Sequence, residues 1–505
     1  MTDQRPLRIL IMAAEMVPFV KTGQVADVIA GLARALRRLG HDVRVAIPRY
    51  NHVDLDRFGL SPVMDPFPVP MDGHHDSVSV FQTGFGATSA EMGVPVYMMD
   101  NPRYFGRGVG ALRHQDADPF IFFPRATLEM LRQPSLSWAP DVIHCHDWQT
   151  ALVPNWLSLT YRDDPILKNV STVLTIHRLS HQGIFGYRVL EVAGIREHGF
   201  LYHSGITDLG ELVDIMGRGI YYADAVTTVS PTYAQEILTP EAGERLDPLL
   251  RDRRDALFGI LNGIDTELYD PASDRHISAT YDATSLSRRA ANKRALQKAF
   301  GLDALDAPLI GMVSRLVESK GVDLVAAMIE PVVRYLGAQI AILGVGDPKY
   351  HSLLTELTAR YPEQLSVRLT FDESLERLIY AGSDMFLMPS RVEPCGLGQM
   401  LAMRYGSVPI VRATGGLADT VDDYDACSGE GTGFCFREID PVAMYTAVVR
   451  ACQVYQMGER WRELQLQGMA RDFSWRASAE RYVTAYCWAM NAHQHQPRQE
   501  TGWVG

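Results

Sequence analysis

Arg315, Lys320 and Glu393, with the glycines from Gly396 to Gly416, form the densest concentration of potential chemistry in this chain. The stretch Met388-Pro-Ser-Arg-Val-Glu-Pro-Cys-Gly-Leu-Gly-Gln-Met400, followed by Thr414-Gly-Gly-Leu-Ala-Asp-Thr420, has the pattern of two successive strand-to-helix turns. Backbone N–H groups at such helix starts favour phosphate charge. Upstream, Ser314-Arg315-Leu-Val-Glu-Ser-Lys320-Gly321 follows an apolar strand and adds two cations. Two cations can neutralise a diphosphate leaving group, and a fixed carboxylate can hold sugar hydroxyls. The set therefore suits a nucleotide-sugar donor and a sugar-transfer reaction.

Duller readings compete at each position. Glu393 follows Arg391 closely enough for a surface ion pair, although a carboxylate just ahead of a Pro-Cys-Gly turn is unusual for that role. Cys395 reads as a small packing residue rather than a nucleophile. His144 and His146 lie two apart, on one face of a strand. No further ligand cluster follows them, so no metal is expected.

These residues need strands and helices to position them. Arg8–Ala14 reads as a buried strand, Lys21-Thr-Gly-Gln-Val-Ala-Asp27 as a glycine-bearing loop, Val28–Leu39 as an amphipathic helix stopped by Gly40, and Asp42–Ile47 as the next strand. Val94–Met99, Val142–Cys145, Thr172–Ile176 and Ala225–Val229 continue the series. A second series comprises Leu309–Val313, Gln339–Leu343, Ser366–Thr370, Met385–Met388 and Val408–Val411. Strands alternating with helices predict parallel sheets covered on both faces, with ligands at the strands' carboxyl ends. The expected class is α/β, with two Rossmann-like doubly wound domains. Residues 1–265 form the first domain, 266–285 a polar linker, 286–470 the second domain, 471–490 a C-terminal helix and 491–505 a polar tail. Thr22-Gly-Gln-Val-Ala-Asp27 echoes Thr414-Gly-Gly-Leu-Ala-Asp419, either as matching loops of two similar domains or by chance.

Composition narrows the partners. A chain of 505 residues exceeds one ordinary core, and 47% apolar with 21% charged residues fits a well-buried globule. The net charge of −12 argues against a general nucleic-acid binder. Six cysteines show neither zinc spacing nor a disulfide framework, as in a reducing cytoplasm. Ile9–Ala14 is too short for a membrane span and unlike a secretory leader, so no membrane partner is expected. Nothing in the residues specifies an oligomeric state.

Further blocks carry a family resemblance: His144-Cys-His-Asp-Trp148, Thr175-Ile-His177, Gln182-Gly-Ile-Phe185, Val229-Ser-Pro-Thr-Tyr233, Gly259-Ile-Leu-Asn-Gly-Ile-Asp265 and Asp472-Phe-Ser-Trp475. With the turns already described, the chain resembles bacterial glycogen synthases and plant starch synthases, retaining glucosyltransferases that extend α-1,4-glucan. The resemblance implies a GT-B type fold, with a cleft between the domains and the C-terminal helix crossing back to the first. It implies nucleotide-glucose, ADP- or UDP-linked, as a substrate rather than a cofactor, an α-1,4-glucan acceptor, and no metal. Carried over by position, Lys21 reaches the donor phosphates, Gly23 allows close backbone approach and Asp27 orients the glucose or its loop. Arg315 and Lys320 hold the diphosphate. Glu393 binds sugar hydroxyls, and Cys395, Gly396 and Leu397 line that pocket, with Thr414, Gly415 and Gly416 on the donor side. His177 lies beside the anomeric carbon, Asn262 holds the sugar, and His146, Asp147 and Trp148 line the acceptor side.

Six positions depart from the family pattern. Gln24 replaces a glycine, Arg178 an asparagine and Ser319 a glutamine; Gly398 lacks a side chain, and Asp118-Pro119 replaces an acidic-basic pair. A side chain at position 24 would be strained if its φ were positive. These departures leave two alternatives open: a glucan-binding or regulatory paralogue, or a glucosyltransferase acting on a small acceptor.

Overall fold

The computed structural model describes residues 5–86, 93–108, 116–195, 201–202 and 212–495. They form two compact units. The first comprises Met1–Val229, Ala234–Gly263 and Trp475–Gly505, and the second Ser230–Tyr233 with Ile264–Ser474.

In the first unit, seven strands run parallel: β1 (Arg8–Met12), β2 (Asp42–Pro48), β3 (Val94–Asp100), β4 (Val142–His146), β5 (Ser171–Ile176), β6 (Ala225–Thr228) and β7 (Leu257–Gly259). Their spatial order is β7-β6-β5-β4-β1-β2-β3. The apolar runs reflect burial on both faces; Ile9 to Met12 and all of β4 and β5 are buried. Beyond β3 the sheet continues antiparallel through His74–Phe85, which pairs with Phe67–Met71 and Ser61–Pro62. The sequence reading missed these strands. Pro62, Pro68 and Pro70 and the polar His74-His75-Asp76 obscure the alternation that marks a strand.

In the second unit, β8 (Leu309–Val313), β9 (Gln339–Leu343), β10 (Leu365–Arg368), β11 (Met385–Met388), β12 (Val408–Arg412) and β13 (Phe434–Phe436) form an all-parallel sheet in the order β10-β9-β8-β11-β12-β13. Both sheets thus place the third, second, first and fourth strands side by side, the doubly wound order. The path reverses between the first and fourth strands, β1 and β4 in one unit and β8 and β11 in the other. In sheets of this order ligands bind at that reversal, outside the carboxyl ends of the strands.

Helix α1 (Val25–Arg38) starts three residues before its expected Val28 and buries Val28, Ile29, Leu32, Ala33 and Leu36. Gln24 has φ −73°, an ordinary helical value, so the strain envisaged for a side chain at this position does not arise. Residues 266–285, expected as a linker, pack on the second unit. The Tyr281 hydroxyl donates to the Tyr405 carbonyl, and Asp274 pairs with the buried Arg377. The polarity that suggested a linker there serves buried hydrogen bonds instead. The C-terminal helix expected over residues 471–490 is the last helix of the described residues, Trp475–His495, and residues 470–474 separate it from the helix Gly458–Met469. Residues 496–505 of the expected tail lie outside the described residues.

That last helix belongs to the first unit. Its Trp475 ring lies over Gly31 of α1, Trp488 packs edge-on against Phe258, and His493 meets Asp224 at 2.9 Å. A Cβ on Gly31 would overlap the Trp475 indole. Gly31→Ala should therefore destabilise the protein by about 1–3 kcal/mol, the usual cost of overpacking, as measured by denaturant unfolding.

Candidate active site

In the second unit, the loops after β8, β11 and β12 are stacked by close backbone contacts. Gly321 (φ +69°) lies against the Pro389 carbonyl, Gly415 (φ +44°) against that of Glu393, and Gly416 against that of Cys395. A Cβ at any of the three would overlap main-chain atoms. The Gly416 N–H donates to the Glu393 carbonyl at 3.1 Å, and the Arg391 N–H to the Ser319 carbonyl at 2.9 Å. Helices α2 (Val322–Leu336), α3 (Gly398–Arg404) and α4 (Gly415–Thr420) run back from these turns.

This stacking carries Lys320 to Glu393, at 2.5 Å, while the Ser390 hydroxyl donates to the same carboxylate oxygen at 2.9 Å. Glu393 is 5% exposed. It is therefore not one half of a surface pair with Arg391, whose guanidinium goes to Asp323. Arg315 is exposed and, among the described residues, makes no ion pair. Cys395, Gly396, Thr414, Gly415 and Gly416 are buried and Leu397 half-buried. The amide turn expected at Thr414–Gly416 is partly occupied, because Gly416 N–H serves the carbonyls of Glu393 and Pro394. Ser319 takes part through its backbone. A Cβ on Gly398 would come within 3.1 Å of the Phe386 ring and 3.2 Å of the Met388 sulfur, so a side chain there requires smaller neighbours.

In the first unit, Lys21 and Asp27 flank the loop after β1, and His146, Asp147 and His177 lie together at the carboxyl ends of β4 and β5. Lys21 Nζ meets the Asp27 carboxylate at 2.9 Å, both half-exposed. In this loop, where Gly23 is expected to let the backbone approach phosphate, the Thr22 and Gly23 N–H groups donate instead to Glu15, a residue without an expected role. A carboxylate three residues beyond a buried strand was the signal available.

His146, expected to touch the acceptor, is 1% exposed. Its Nδ1 lies 2.9 Å from His177 Nε2, so it supports His177 from within the sheet layer. Trp148, also expected on the acceptor side, is 9% exposed and lies between Phe120 and Phe185, closed off by Gly183 (φ +68°). Asp147 is half-buried at φ +56°, and its Oδ1 accepts the His177 N–H at 2.9 Å. Arg178, in place of an asparagine, donates from Nε to the Ser180 hydroxyl. Asn262 is buried with no protein partner for Oδ1 among the described residues.

His144 is fully enclosed. Nδ1 meets the Tyr486 hydroxyl at 2.8 Å and Nε2 the Thr175 hydroxyl at 2.6 Å. Burial lowers its pKa to about 3, and that of His177 to about 4. Burial and the two neighbouring histidines hold His146 well below the usual range. Burial raises Asp147 to about 7, against the backbone N–H groups of His177 and Arg178, which lower it. All three imidazoles are neutral at pH 7 and act as hydrogen-bonding groups without charge. Among the described residues, His, Cys, Asp and Glu form no group of three or more able to hold a metal ion.

The chain, two doubly wound units of which the second carries glycine-stacked turns at its strand ends, is a glycosyltransferase of GT-B type. Residues 8–252 match the family described as starch synthase catalytic domain, and residues 307–453 match glycosyl transferases group 1. The chain is 45% identical to a glycogen synthase of Moorella thermoacetica, over 95% of this chain and 96% of the relative. It is 43% identical to that of Syntrophotalea carbinolica, over 96% and 100%. Among solved structures, the catalytic domain of starch synthase IV from Arabidopsis thaliana, bound to ADP and acarbose, superposes with a TM-score of 0.86 at 35% identity, covering 96% of this chain and all of that one. The chain belongs to the glycogen synthase family.

A buried histidine kept neutral couples stability to pH. Where the folded pKa lies below the unfolded value, the unfolded state gains the proton first, so stability falls as pH drops from about 6.5 toward the folded value. For His144 this amounts to about 2 kcal/mol lost between pH 7 and pH 5. His144→Gln should be less stable at pH 7 yet lose about 2 kcal/mol less than the parent over that interval, as measured by denaturant titration at both pH values.

Proposed function

We propose that this protein transfers glucose, with retention, from a nucleotide-glucose donor to the 4-hydroxyl at the end of an α-1,4-glucan. The observation that carries this reading is the Lys320–Glu393–Ser390 group at the switch point of the second sheet, with exposed Arg315 on the loop that also bears Lys320. A nucleotide sugar supplies what this group needs: phosphate oxygens for Arg315 and Lys320, and hydroxyls that donate to Glu393. With Glu393 counted, Arg315 and Lys320 leave one net positive charge to meet the arriving diphosphate. As the bond from the anomeric carbon to the diphosphate breaks, negative charge grows on the leaving oxygen, which is where fixed cations lower the barrier most. The acceptor oxygen bonds to the anomeric carbon from the same face, and its proton passes to the departing diphosphate.

On the first unit, Lys21 takes the donor's phosphate in this reading, and His177 contributes its neutral ring and main-chain carbonyl beside the anomeric carbon. Asn262 offers an unpartnered Oδ1 to a sugar hydroxyl. ADP in the starch synthase IV structure favours ADP-glucose over UDP-glucose as donor. No cofactor takes part, because the nucleotide sugar is consumed. Six free cysteines suit a cytoplasmic enzyme.

Incubation with labelled ADP-glucose or UDP-glucose, with and without glycogen, tests the reading by label in precipitated polymer. Glycogen-dependent incorporation is expected, falling at least about tenfold in Lys320→Ala, or about 1.4 kcal/mol. Glu393→Ala should cost about 3 kcal/mol or more in kcat/KM, because it removes a buried hydrogen-bond acceptor from a charged site. Glycogen binding with no transfer from either donor would instead identify a glucan-binding paralogue.

A further inference from the structure

The sequence led to the expectation that the Lys21-Thr22-Gly23 turn approaches phosphate through its backbone. In the structure an anion already occupies that turn. Glu15 lies three residues beyond Met12, the end of β1, and is 6% exposed. One of its oxygens, Oε2, accepts from Thr22 N at 2.5 Å, Thr22 Oγ1 at 2.7 Å and Gly23 N at 3.2 Å. Three donors on one carboxylate oxygen is the arrangement by which amide turns hold anions, and hydrogen bonds to an ionised acceptor are the stronger kind. The turn is thus satisfied from within the unit, and Lys21, paired with Asp27, is left at its edge. The same carboxylate raises the pKa of His177 against the effect of burial, so its charge reaches the imidazole ring.

We propose that Glu15 is a positioning residue: its carboxylate fills the Thr22–Gly23 amide turn in place of a ligand phosphate and so holds Lys21 where the donor's phosphate meets it. The inference rests on the transferase reading above. The backbone of this loop then makes no phosphate contact, and the loop recognises the donor through the Lys21 side chain. The topology supports this division. Counted along each sheet, the connection after β1 corresponds to the connection after β8, which carries Lys320 and Gly321. In both, a lysine precedes a helix and its charge meets a carboxylate, Asp27 in one case and Glu393 in the other.

A double-mutant cycle tests the proposal, with ADP-glucose Kd by calorimetry and KM and kcat by glycogen labelling. Glu15→Ala should raise Kd and KM about tenfold or more, with a smaller change in kcat. Glu15→Gln, which keeps an acceptor of the same shape, should recover most of the loss. In a Lys21→Ala background, Glu15→Ala should have little further effect, because the residue acts through that lysine. If Glu15→Ala does not fold, Thr22→Val, which removes one of the three donors, replaces it in the cycle. Equal effects of the Glu15 or Thr22 substitution in both backgrounds, or folded variants with unchanged Kd and KM, would overturn the proposal. A wild-type protein that binds ADP-glucose but transfers nothing would sink the transferase reading alone, since the cycle is still read by Kd. A wild-type protein that neither binds nor transfers would overturn both.

Discussion

Close approach of main chain to main chain organises the second unit's site. Gly321, Gly415 and Gly416 each bring a turn within contact of the carbonyl of Pro389, Glu393 or Cys395, where a Cβ has no room. The consequence is chemical. With the turns stacked, Lys320 from one connection and Glu393 from the next fall within 2.5 Å, and the Glu393 backbone is tied down by Gly416. Removing a buried carboxylate and ammonium from water is costly unless each finds a partner. The glycines set that pairing, and with it a buried charged group at the strand ends.

The first unit solves a related problem without charge. Three histidines sit in or at the end of its central strands, and burial keeps all of them neutral. His144 is satisfied on both ring nitrogens by Thr175 and by Tyr486 of the last helix. That helix therefore contributes to the interior of the sheet as well as to its surface. His146 leans on His144 and holds His177 at Nε2, while Asp147 holds the His177 main chain. Residue 177 is thus fixed at both ring and backbone.

The departures from the family pattern acquire local explanations where the structure supplies one. Gln24 has ordinary helical angles, Ser319 acts through its carbonyl, and Gly398 is matched by the bulk of Phe386 and Met388. Asp118 and Pro119 open a helix, where proline's missing N–H costs nothing. Arg178 is held by Ser180; nothing in the structure explains why an arginine stands there. The echo between Thr22–Asp27 and Thr414–Asp419 also resolves. The first follows the first strand of its sheet and the second follows the fifth, so they are not equivalent connections. Asp27 pairs with Lys21, whereas Asp419 accepts from Ser230 and Thr232. What they share is the chemistry of a glycine turn that starts a helix.

Much of this was legible in the residues alone. Apolar runs bounded by glycine and charge marked most of the parallel strands, because strands buried on both faces allow little else. Those runs also placed Arg315, Lys320, Glu393 and Lys21 at strand ends, since a doubly wound sheet has its polar exits there. The antiparallel strands at residues 61–85 escaped notice because half-exposed edges tolerate proline and polar side chains. Only the tertiary structure decided which anion fills which turn. Glu15 in the Thr22–Gly23 amides, Lys320 on Glu393 and Tyr486 on His144 are contacts between residues far apart in the chain or across a loop. Their partners are selected by the twist and stacking of strand ends in space, and spacing along the sequence does not encode that selection.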